Sequence, residues 1–449
     1  MRRFIRLVVG ISFVLLPCVS AMRAPAAPAG QGVQNERPEV ISRVTRVKGL
    51  KLVSTSSLLP PTDADCRVSL GIPCYSPQEI QNAYSVKPLL EAGYTGAGQT
   101  IIIIDSFGSP AIANDLSTFD AGYGLPDPPS FTVLAPLGTV PFDPSNSDQV
   151  GWAFETTLDV EWAHALAPGA GIVLLTSPVS ETEGVQGLPE FLQLEQYALV
   201  HHLGKIISQS WGATENTLFD PAGRQVMADF ERFYLRAALE NVTVLASSGD
   251  SGSAGLDVSY QFYPFPTVGF PASSPLVTAV GGTSLYADTD GNYQSETVWN
   301  YAHGASGGGV SQYFWEPLYQ YLLPASVQKQ IHHHRGIPDV AYNADPNTPI
   351  LIYVSFVKTP GYYTIGGTSE GSPQWAGIIA DANQLARHPL GFLNQRLYLL
   401  HGIGFHDVAV GNNSFNGVPG YDATTGWDLA TGWGTPNVST LLPKLVRLH

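Results

Sequence analysis

The sequence has few charged residues and little positive charge. Charged residues make up 13% of its 449 residues, against about 25% in typical soluble proteins. Lys and Arg number 22 against 37 Asp and Glu, so the formal net charge is −15. This balance argues against nucleic acid and anionic membranes as partners, because both are also negative. With few ion pairs, the fold also has little to lose when carboxylates are protonated, which favours an acidic medium.

Long hydrophobic runs and cysteines are also scarce. The apolar run at residues 7–16 is too short to span a membrane. It follows a basic start and precedes small residues, a pattern typical of a secretory signal peptide over residues 1–21. Cleavage there would remove one of the three cysteines. The remaining two, Cys66 and Cys74, could form a disulfide in an exported protein or stay as free thiols.

Residues 22–74 show no sustained hydrophobic periodicity. They are rich in Ala, Pro, Ser and Thr, a composition typical of a linker or a short pro-segment. We therefore expect the folded domain to cover residues 75–449.

Strand and helix patterns alternate within this domain. The run of four isoleucines at 101–104, ending in Asp105, is typical of a strand buried on both faces. The alternation predicts an α/β fold in which helices cover both faces of a parallel sheet, with the active site at the carboxyl edge of the strands. Further apolar runs lie at 171–175, 205–208, 242–246, 277–280 and 350–354, and helical patterns lie at 150–167, 189–202, 221–240 and 373–385.

A candidate nucleophile, Ser369, lies between a glycine-rich stretch and a helical pattern, in Gly-Gly-Thr-Ser-Glu-Gly-Ser-Pro. The N–H groups and positive dipole end of a helix start could stabilise an anion beside the serine oxygen. The alternative is an ordinary helix N-cap after a glycine turn. A second Gly-Thr-Ser ends at Ser284 without a following helical pattern. We expect Ser284 at the end of a strand.

Three acidic residues are candidates for partners of this serine. Glu155 and Asp159 lie one turn apart on a mainly apolar face of the 150–167 pattern, which predicts that they are buried together. Such a pair needs a shared proton or a partner; the alternative is a solvated acidic face. Asp250 lies in a glycine-rich loop after the run 242–246. It could be a functional residue there, or it could only stabilise an ordinary turn.

Together these motifs resemble the sedolisins, the serine-carboxyl peptidases of the subtilisin-like clan. The resemblance covers the chain from about residue 75 to its end and implies a subtilisin-like fold. It implies that Ser369 attacks the peptide carbonyl, Glu155 takes the serine proton and Asp159 holds Glu155. Asp250 would form the oxyanion hole with the Ser369 N–H, and Asp105 would extend the hydrogen-bond chain. Other blocks in the family's order lie at 208–212, 271–275, 280–284, 306–309 and 335–340.

The resemblance also implies a C-terminal loop that binds one calcium ion. Two carboxylates and three backbone carbonyls would supply hard oxygen ligands, which calcium prefers. Sedolisins usually carry a long folded pro-domain, and residues 22–74 are too few for one. The side-chain ligands would be Asp407 and Asp428, and the carbonyl ligands Val408, Thr424 and Gly426.

The sequence therefore predicts a secreted, monomeric endopeptidase that hydrolyses polypeptides at acidic pH. One alternative is a tripeptidyl-peptidase of the same family. A catalytically silent secreted calcium-binding module is another. A subtilisin with a histidine base fits less well, because no His-Gly-Thr motif surrounds His164 on the Glu155 helix.

Overall fold

The computed structural model describes residues 48–56 and 59–448, and the predicted signal peptide lies outside them. In chain order the strands are β1 Lys48–Ser54, β2 Thr100–Ser106, β3 Phe131–Leu134, β4 Gly171–Ser177, β5 Ile206–Gln209, β6 Ala213–Thr214, β7 Thr243–Ser247, β8 Gly269–Phe270, β9 Thr278–Ala287, β10 Tyr293–Val298, β11 Asn300–Tyr301, β12 Gly304–Ala305, β13 Gly309–Trp315, β14 His334–Ile337, β15 Val340–Asn343, β16 Ile350–Val354, β17 Gly361–Gly366, β18 Phe405–His406 and β19 Thr435–Pro436. The helices are α1 Asp63–Ser69, α2 Pro77–Ala83, α3 Lys87–Glu91, α4 Ile112–Tyr123, α5 Ser147–Leu166, α6 Leu188–Val200, α7 Pro221–Leu239, α8 Ala325–Ile331, α9 Gly371–Ala386, α10 Asn394–Leu399 and α11 Val438–Leu445.

A mainly parallel sheet organises this part of the chain. Within the described residues it has eight strands, in the order β10-β9-β7-β5-β2-β4-β3, with β15 also paired to β9. Only the β10–β9 pairing is antiparallel. The neighbours β2, β5 and β7 end at the same edge, so the residues that follow them lie close together.

The isoleucine run of β2 explains why this sheet is covered on both sides. Successive side chains of a strand point to opposite faces. Ile101 and Ile103 belong to one buried apolar cluster, while Ile102 and Ile104 belong to a second. The predicted α/β architecture, with a parallel sheet covered on both faces, is therefore confirmed, and each face of β2 contacts its own hydrophobic core.

Helix α5 begins at an asparagine cap and crosses the interior. The Asn146 side chain accepts hydrogen bonds from the N–H groups of Asp148 and Gln149, as expected at a helix start. Every residue from Trp152 to Leu166 is buried. The single apolar face predicted from the sequence is thus only part of the buried surface, because the helix is packed on all sides.

A small antiparallel sheet leads into the candidate nucleophile. Strand β17 pairs with β16 on one side and with β1 on the other. The run at 350–354 was expected in the α/β alternation, but as β16 it lies in this separate sheet. The pairing places β1 beside the segment that ends at Gly366, three residues before Ser369.

Regular secondary structure begins before residue 75, where the folded domain was predicted to start. Strand β1 pairs with β17, and helix α1 follows it with a Thr62 capping box. Cys66 and Cys74 form a disulfide, so the free-thiol alternative is excluded. Part of the segment predicted as a linker or pro-segment is therefore folded. In the described part of the chain, no helix is long and apolar enough to cross a membrane.

Candidate active site

Glu155 and Asp159 are fully buried on α5. They are four residues apart, and this spacing places them on the same side of the helix. Burial raises the pKa of Asp159, and the neighbouring carboxyls of Asp105 and Glu155 raise it further. Buried like charges repel one another, so this raised pKa favours a form in which the group keeps a proton. The sequence pattern predicted a shared proton or a partner for this pair, and the raised pKa of Asp159 favours a shared proton.

Ser369 lies at the start of the helical segment, as predicted. It is the middle residue of a 3-10 turn, Thr368–Glu370, that leads directly into α9. Its relative exposure is 7%, so the residue is nearly enclosed. The cap positions of the turn and of α9 are Gly367 and Glu370, and neither start has a side-chain cap bond. The N-cap alternative for this serine is therefore not supported.

Ser210 joins the acidic pair to the serine segment. Its hydroxyl lies 2.8 Å from Asp159 Oδ1, to which it donates. The same hydroxyl lies 3.4 Å from the Ser369 carbonyl oxygen. Strand β5 ends one residue earlier, so the strand edge connects the Asp159 carboxyl of α5 to the chain that carries the candidate nucleophile.

Asp250 also contacts the serine segment, from the loop after β7. Its Oδ1 accepts hydrogen bonds from the Thr368 N–H and hydroxyl, both at 2.8 Å. Its second oxygen, Oδ2, would lie 2.7 Å from a Cβ at residue 367. Only glycine fits there, and its φ of +123° also favours glycine. Asp250 is thus held against the residue before Ser369.

The environment of Asp250 favours its neutral form. Burial raises the pKa of this carboxyl, while the Lys48 ammonium and the Thr368 hydrogen bonds oppose that rise. The two Thr368 donors occupy Oδ1. A proton on Oδ2 would make this carboxyl a hydrogen-bond donor beside Ser369.

Asp105 lies at the end of β2, the strand next to β5, and is fully buried. Its charge interacts with Asp159. This position agrees with the extended acidic chain implied by the family resemblance.

The other base candidate, His164, faces away from this group. Nine residues separate it from Glu155, which is a rotation of about 180° around the helix axis. Its Nε2 lies 2.8 Å from the Pro126 carbonyl oxygen and 3.4 Å from Asp120 Oδ1. Burial lowers the pKa of His164. We conclude that this histidine belongs to the packing between α5 and α4.

Ser284 is a useful comparison for Ser369. It lies inside β9, not at a strand end as predicted. Its hydroxyl donates to Asp345 Oδ2 at 2.6 Å. The second Gly-Thr-Ser is therefore a structural element of the sheet.

The proposed calcium loop brings its two carboxylates to one short segment. Both Asp407 oxygens accept from the Gly426 N–H, at 3.1 and 3.0 Å. Asp428 Oδ2 accepts from the Thr424 N–H at 2.8 Å. Two carboxylates thus contact the two ends of residues 424–426, and carboxylate oxygens are a type of ligand that calcium prefers. Among the described residues no group of three or more His, Cys, Asp or Glu could hold a metal ion. A cation here would therefore depend on carbonyls such as that of Val408.

Sequence reasoning assigned no function to two residues at the site. Ser210 lies in the 208–212 block, whose position after an apolar run could have placed it at the sheet edge. Lys48 had no such signal, because its neighbourhood lacks periodicity and β1 pairs with a strand more than 300 residues later.

Comparison with known proteins agrees with this architecture. The family model described as the subtilase family matches residues 157–401. The chain is similar to the solved structure of Pseudomonas sedolisin, a serine-carboxyl proteinase complexed with two molecules of pseudo-iodotyrostatin. The TM-score is 0.69 at 30% identity, covering 83% of this chain and 98% of that one. Fold and family match thus define a member of the subtilase class.

The chain belongs to the sedolisin family of that class. It is 36% identical over 365 residues to kumamolisin from Bacillus sp. (strain MN-32), covering 78% of this chain and 61% of the relative. It is 33% identical to tripeptidyl-peptidase 1 from Rattus norvegicus, covering 65% of this chain and 52% of the relative. The chain therefore spans about half to three fifths of the length of these relatives.

Proposed function

We propose that the chain is a secreted serine-carboxyl endopeptidase that hydrolyses polypeptides in acid. The observation that carries the proposal is the position of the Ser210 hydroxyl, between Asp159 Oδ1 and the Ser369 carbonyl oxygen. Asp250 in turn bonds Thr368, the residue before the candidate nucleophile. The Cys66–Cys74 disulfide supports export to an oxidising compartment.

In the proposed mechanism Ser369 Oγ attacks the peptide carbonyl carbon and its proton passes to Glu155. Asp159 orients Glu155 and shares the proton of the buried pair. The carbonyl oxygen, now negative, accepts hydrogen bonds from protonated Asp250 and from the Ser369 N–H. Glu155 then returns the proton to the leaving amine, and water hydrolyses the acyl-enzyme by the same steps.

Peptide cleavage mapping by mass spectrometry tests the function directly. A polypeptide with a free N-terminus and the same polypeptide with an acetylated one are incubated with the protein at several pH values. Internal fragments from both would support an endopeptidase. Successive tripeptides from the free N-terminus alone would favour the second candidate, to which the tripeptidyl-peptidase 1 similarity points. If no cleavage occurs at any pH, the catalytically silent calcium-binding module would be the remaining hypothesis.

Asp250→Asn is expected to alter the pH dependence of this activity. Burial raises the pKa of Asp250, so the carboxyl is protonated in acid and ionises as pH rises. Ionisation removes the donor and repels the oxyanion, so wild-type kcat/KM falls on the alkaline side. The amide donates at every pH. We expect a loss of about 10²-fold at the acid optimum and an alkaline limb that moves upward. An unchanged alkaline limb would contradict the protonated donor.

We also propose that the 424–426 loop, with Asp407 and Asp428, binds calcium and stabilises the fold. Ligand that binds only the folded state raises its stability by mass action. Asp428 already accepts hydrogen bonds within its own loop, and burial raises its pKa to about 6. The charged form that calcium requires thus increases above that pH, where chelator effects should be largest.

Asp407→Asn tests this loop, because Asp407 is exposed and bonds only the Gly426 N–H among the hydrogen bonds described. Chelator should lower the melting temperature of wild type at neutral pH and leave that of Asp407→Asn nearly unchanged. Asp422→Asn, an exposed aspartate nearby, is the matched control and should respond like wild type. If chelator does not change the melting temperature of the wild type, the calcium proposal is wrong.

A further inference from the structure

Gln209, the last residue of β5, connects the active site to the opposite face of the sheet. The side chains before and after it point to the α5 and α9 side: the Ser208 hydroxyl lies 2.9 Å from that of Ser372, and Ser210 contacts Asp159. Alternation along the strand sends the Gln209 side chain the other way, towards α6 and α7. Any change in its contacts acts on Ser210 through one peptide bond.

The Gln209 amide contacts a buried carboxyl on α6. Its Nε2 donates to Glu195 Oε1 in a very short contact and to the Tyr234 hydroxyl at 3.1 Å. Each of the three residues is fully buried. Within the described residues, Gln209 Oε1 and Glu195 Oε2 have no hydrogen-bond partner. Two buried acceptor oxygens on adjoining planar groups are thus unsatisfied.

A single proton would satisfy both oxygens. An ionised carboxylate only accepts hydrogen bonds, so it cannot pair with the amide oxygen. A neutral carboxyl accepts from Gln209 Nε2 through Oε1 and donates to Gln209 Oε1 through Oε2–H. The result is a planar acid–amide pair with two hydrogen bonds. Leaving both oxygens unpaired in the interior is costly.

The surroundings of Glu195 favour this protonated form. Helix α6 packs on β2 and β4, which present Ile102, Ile104 and Leu175 to this side. From α7 come the Tyr234 hydroxyl and, beyond it, the Glu231 carboxyl, both neutral or negative. No positive group of the described residues faces Glu195 from these elements. Burial raises the pKa of Glu195, and its bond to Gln209 only partly opposes this.

We propose that Glu195 is a positioning residue that works only when protonated: paired with Gln209, it fixes the end of β5, from which Ser210 reaches Asp159 and Ser369. When Glu195 ionises, an acceptor faces an acceptor, the pair loses a hydrogen bond and the strand end shifts. Activity then falls as pH rises. This inference rests on the proposed function and adds a cause of acid action independent of Asp250.

The activity test uses the Asp250→Asn protein, in which the oxyanion donor no longer titrates. The alkaline loss of kcat that remains there should move upward by about one pH unit or more when Glu195→Gln is added. A Gln–Gln amide pair makes both hydrogen bonds at every pH, so kcat at acidic pH should stay within about twofold. Glu231→Gln removes a neighbouring carboxyl that does not touch Gln209. As the matched control, it should leave the profile unchanged.

Glu195→Leu separates positioning from bulk packing. It removes the partner of Gln209 while filling the space, so kcat at acidic pH should fall about tenfold with little change in KM, because the reacting groups are misplaced but the substrate is still bound. The difference from wild type should shrink as pH rises and Glu195 of the wild type ionises. If Glu195→Gln leaves the alkaline limb in place, or if Glu195→Leu has wild-type kcat, the proposal is wrong.

A spectroscopic measurement keeps this test independent of peptidase activity. Infrared difference spectra between Ser369→Ala and Ser369→Ala/Glu195→Gln should contain the carbonyl band of a protonated carboxyl that persists well above pH 4.5. Absence of the band at that pH would overturn the proposal. If no peptide is cleaved under any condition while the band is present, the proposed function is wrong. The inference that Glu195 is protonated would then still hold.

Discussion

Ser369→Ala should lower peptide hydrolysis by a factor on the order of 10⁶, as loss of the nucleophile does in serine peptidases. Without Oγ no acyl-enzyme forms, and the oxyanion donors alone support little turnover. The substitution removes one atom from a residue that caps neither the turn nor α9. The melting temperature should therefore change little. kcat/KM on a cleavable peptide and a thermal melt measure both effects.

Ser284→Ala is the control for this prediction. It removes the hydroxyl that donates to Asp345 inside β9. Loss of such a buried hydrogen bond should cost about 1 kcal/mol of folding free energy or somewhat more, while hydrolysis stays close to wild type. Equal loss of activity in Ser284→Ala and Ser369→Ala would show that neither serine is the nucleophile.

The sequence predicted the parallel sheet well because its strands are defined by local pattern. Buried runs such as 101–104 need no partner to be recognised, and the helix that starts near residue 221 carries its own signals. Asp220 caps it and Pro221 occupies its first turn. These elements place Asp105, Ser210 and Asp250 at the carboxyl edge of the sheet.

Features that depend on pairing between distant segments could not be predicted from local sequence patterns. Strand β1 gains its conformation from β17, and β16 joins that pair and not the main sheet. The Ser210 bridge and the Glu195–Gln209 contact likewise join distant segments. Nothing in spacing indicates which hydroxyl or amide will meet which carboxyl, because side-chain pairing is decided by packing in three dimensions.

Buried carboxyls also support the proposed preference for acid, which composition could only suggest. Burial raises the pKa of Asp120 to about 8 and that of Glu231 and Glu296 to about 7. Each folded-state pKa exceeds the unfolded value of about 4. The stability from these groups is therefore fully present below about pH 4 and is lost as pH rises through about 7 to 8. Folding and the proposed chemistry thus favour the same range.

Glu155→Gln should lower kcat/KM by about 10²- to 10⁴-fold, the range expected for loss of a general base. The amide keeps the size of the side chain, but its N–H₂ donates and it cannot take the Ser369 proton at any pH. The glutamate also raises the pKa of Asp159. Removing its charge should thus lower that pKa, and the residual activity should lack the acid limb that reports Glu155 ionisation.

Two variants on the same helix decide whether this loss is specific to Glu155. Glu161→Gln changes another fully buried carboxyl, whose Oε2 accepts from the Tyr353 N–H at 3.0 Å and makes no contact described with Ser369. It should keep most of the activity. His164→Phe removes the remaining base candidate, which bonds Pro126 on the far side of α5. If Glu155→Gln stays active while His164→Phe does not, the base is the histidine, and the buried Glu155–Asp159 pair must then stabilise the fold and not the reaction.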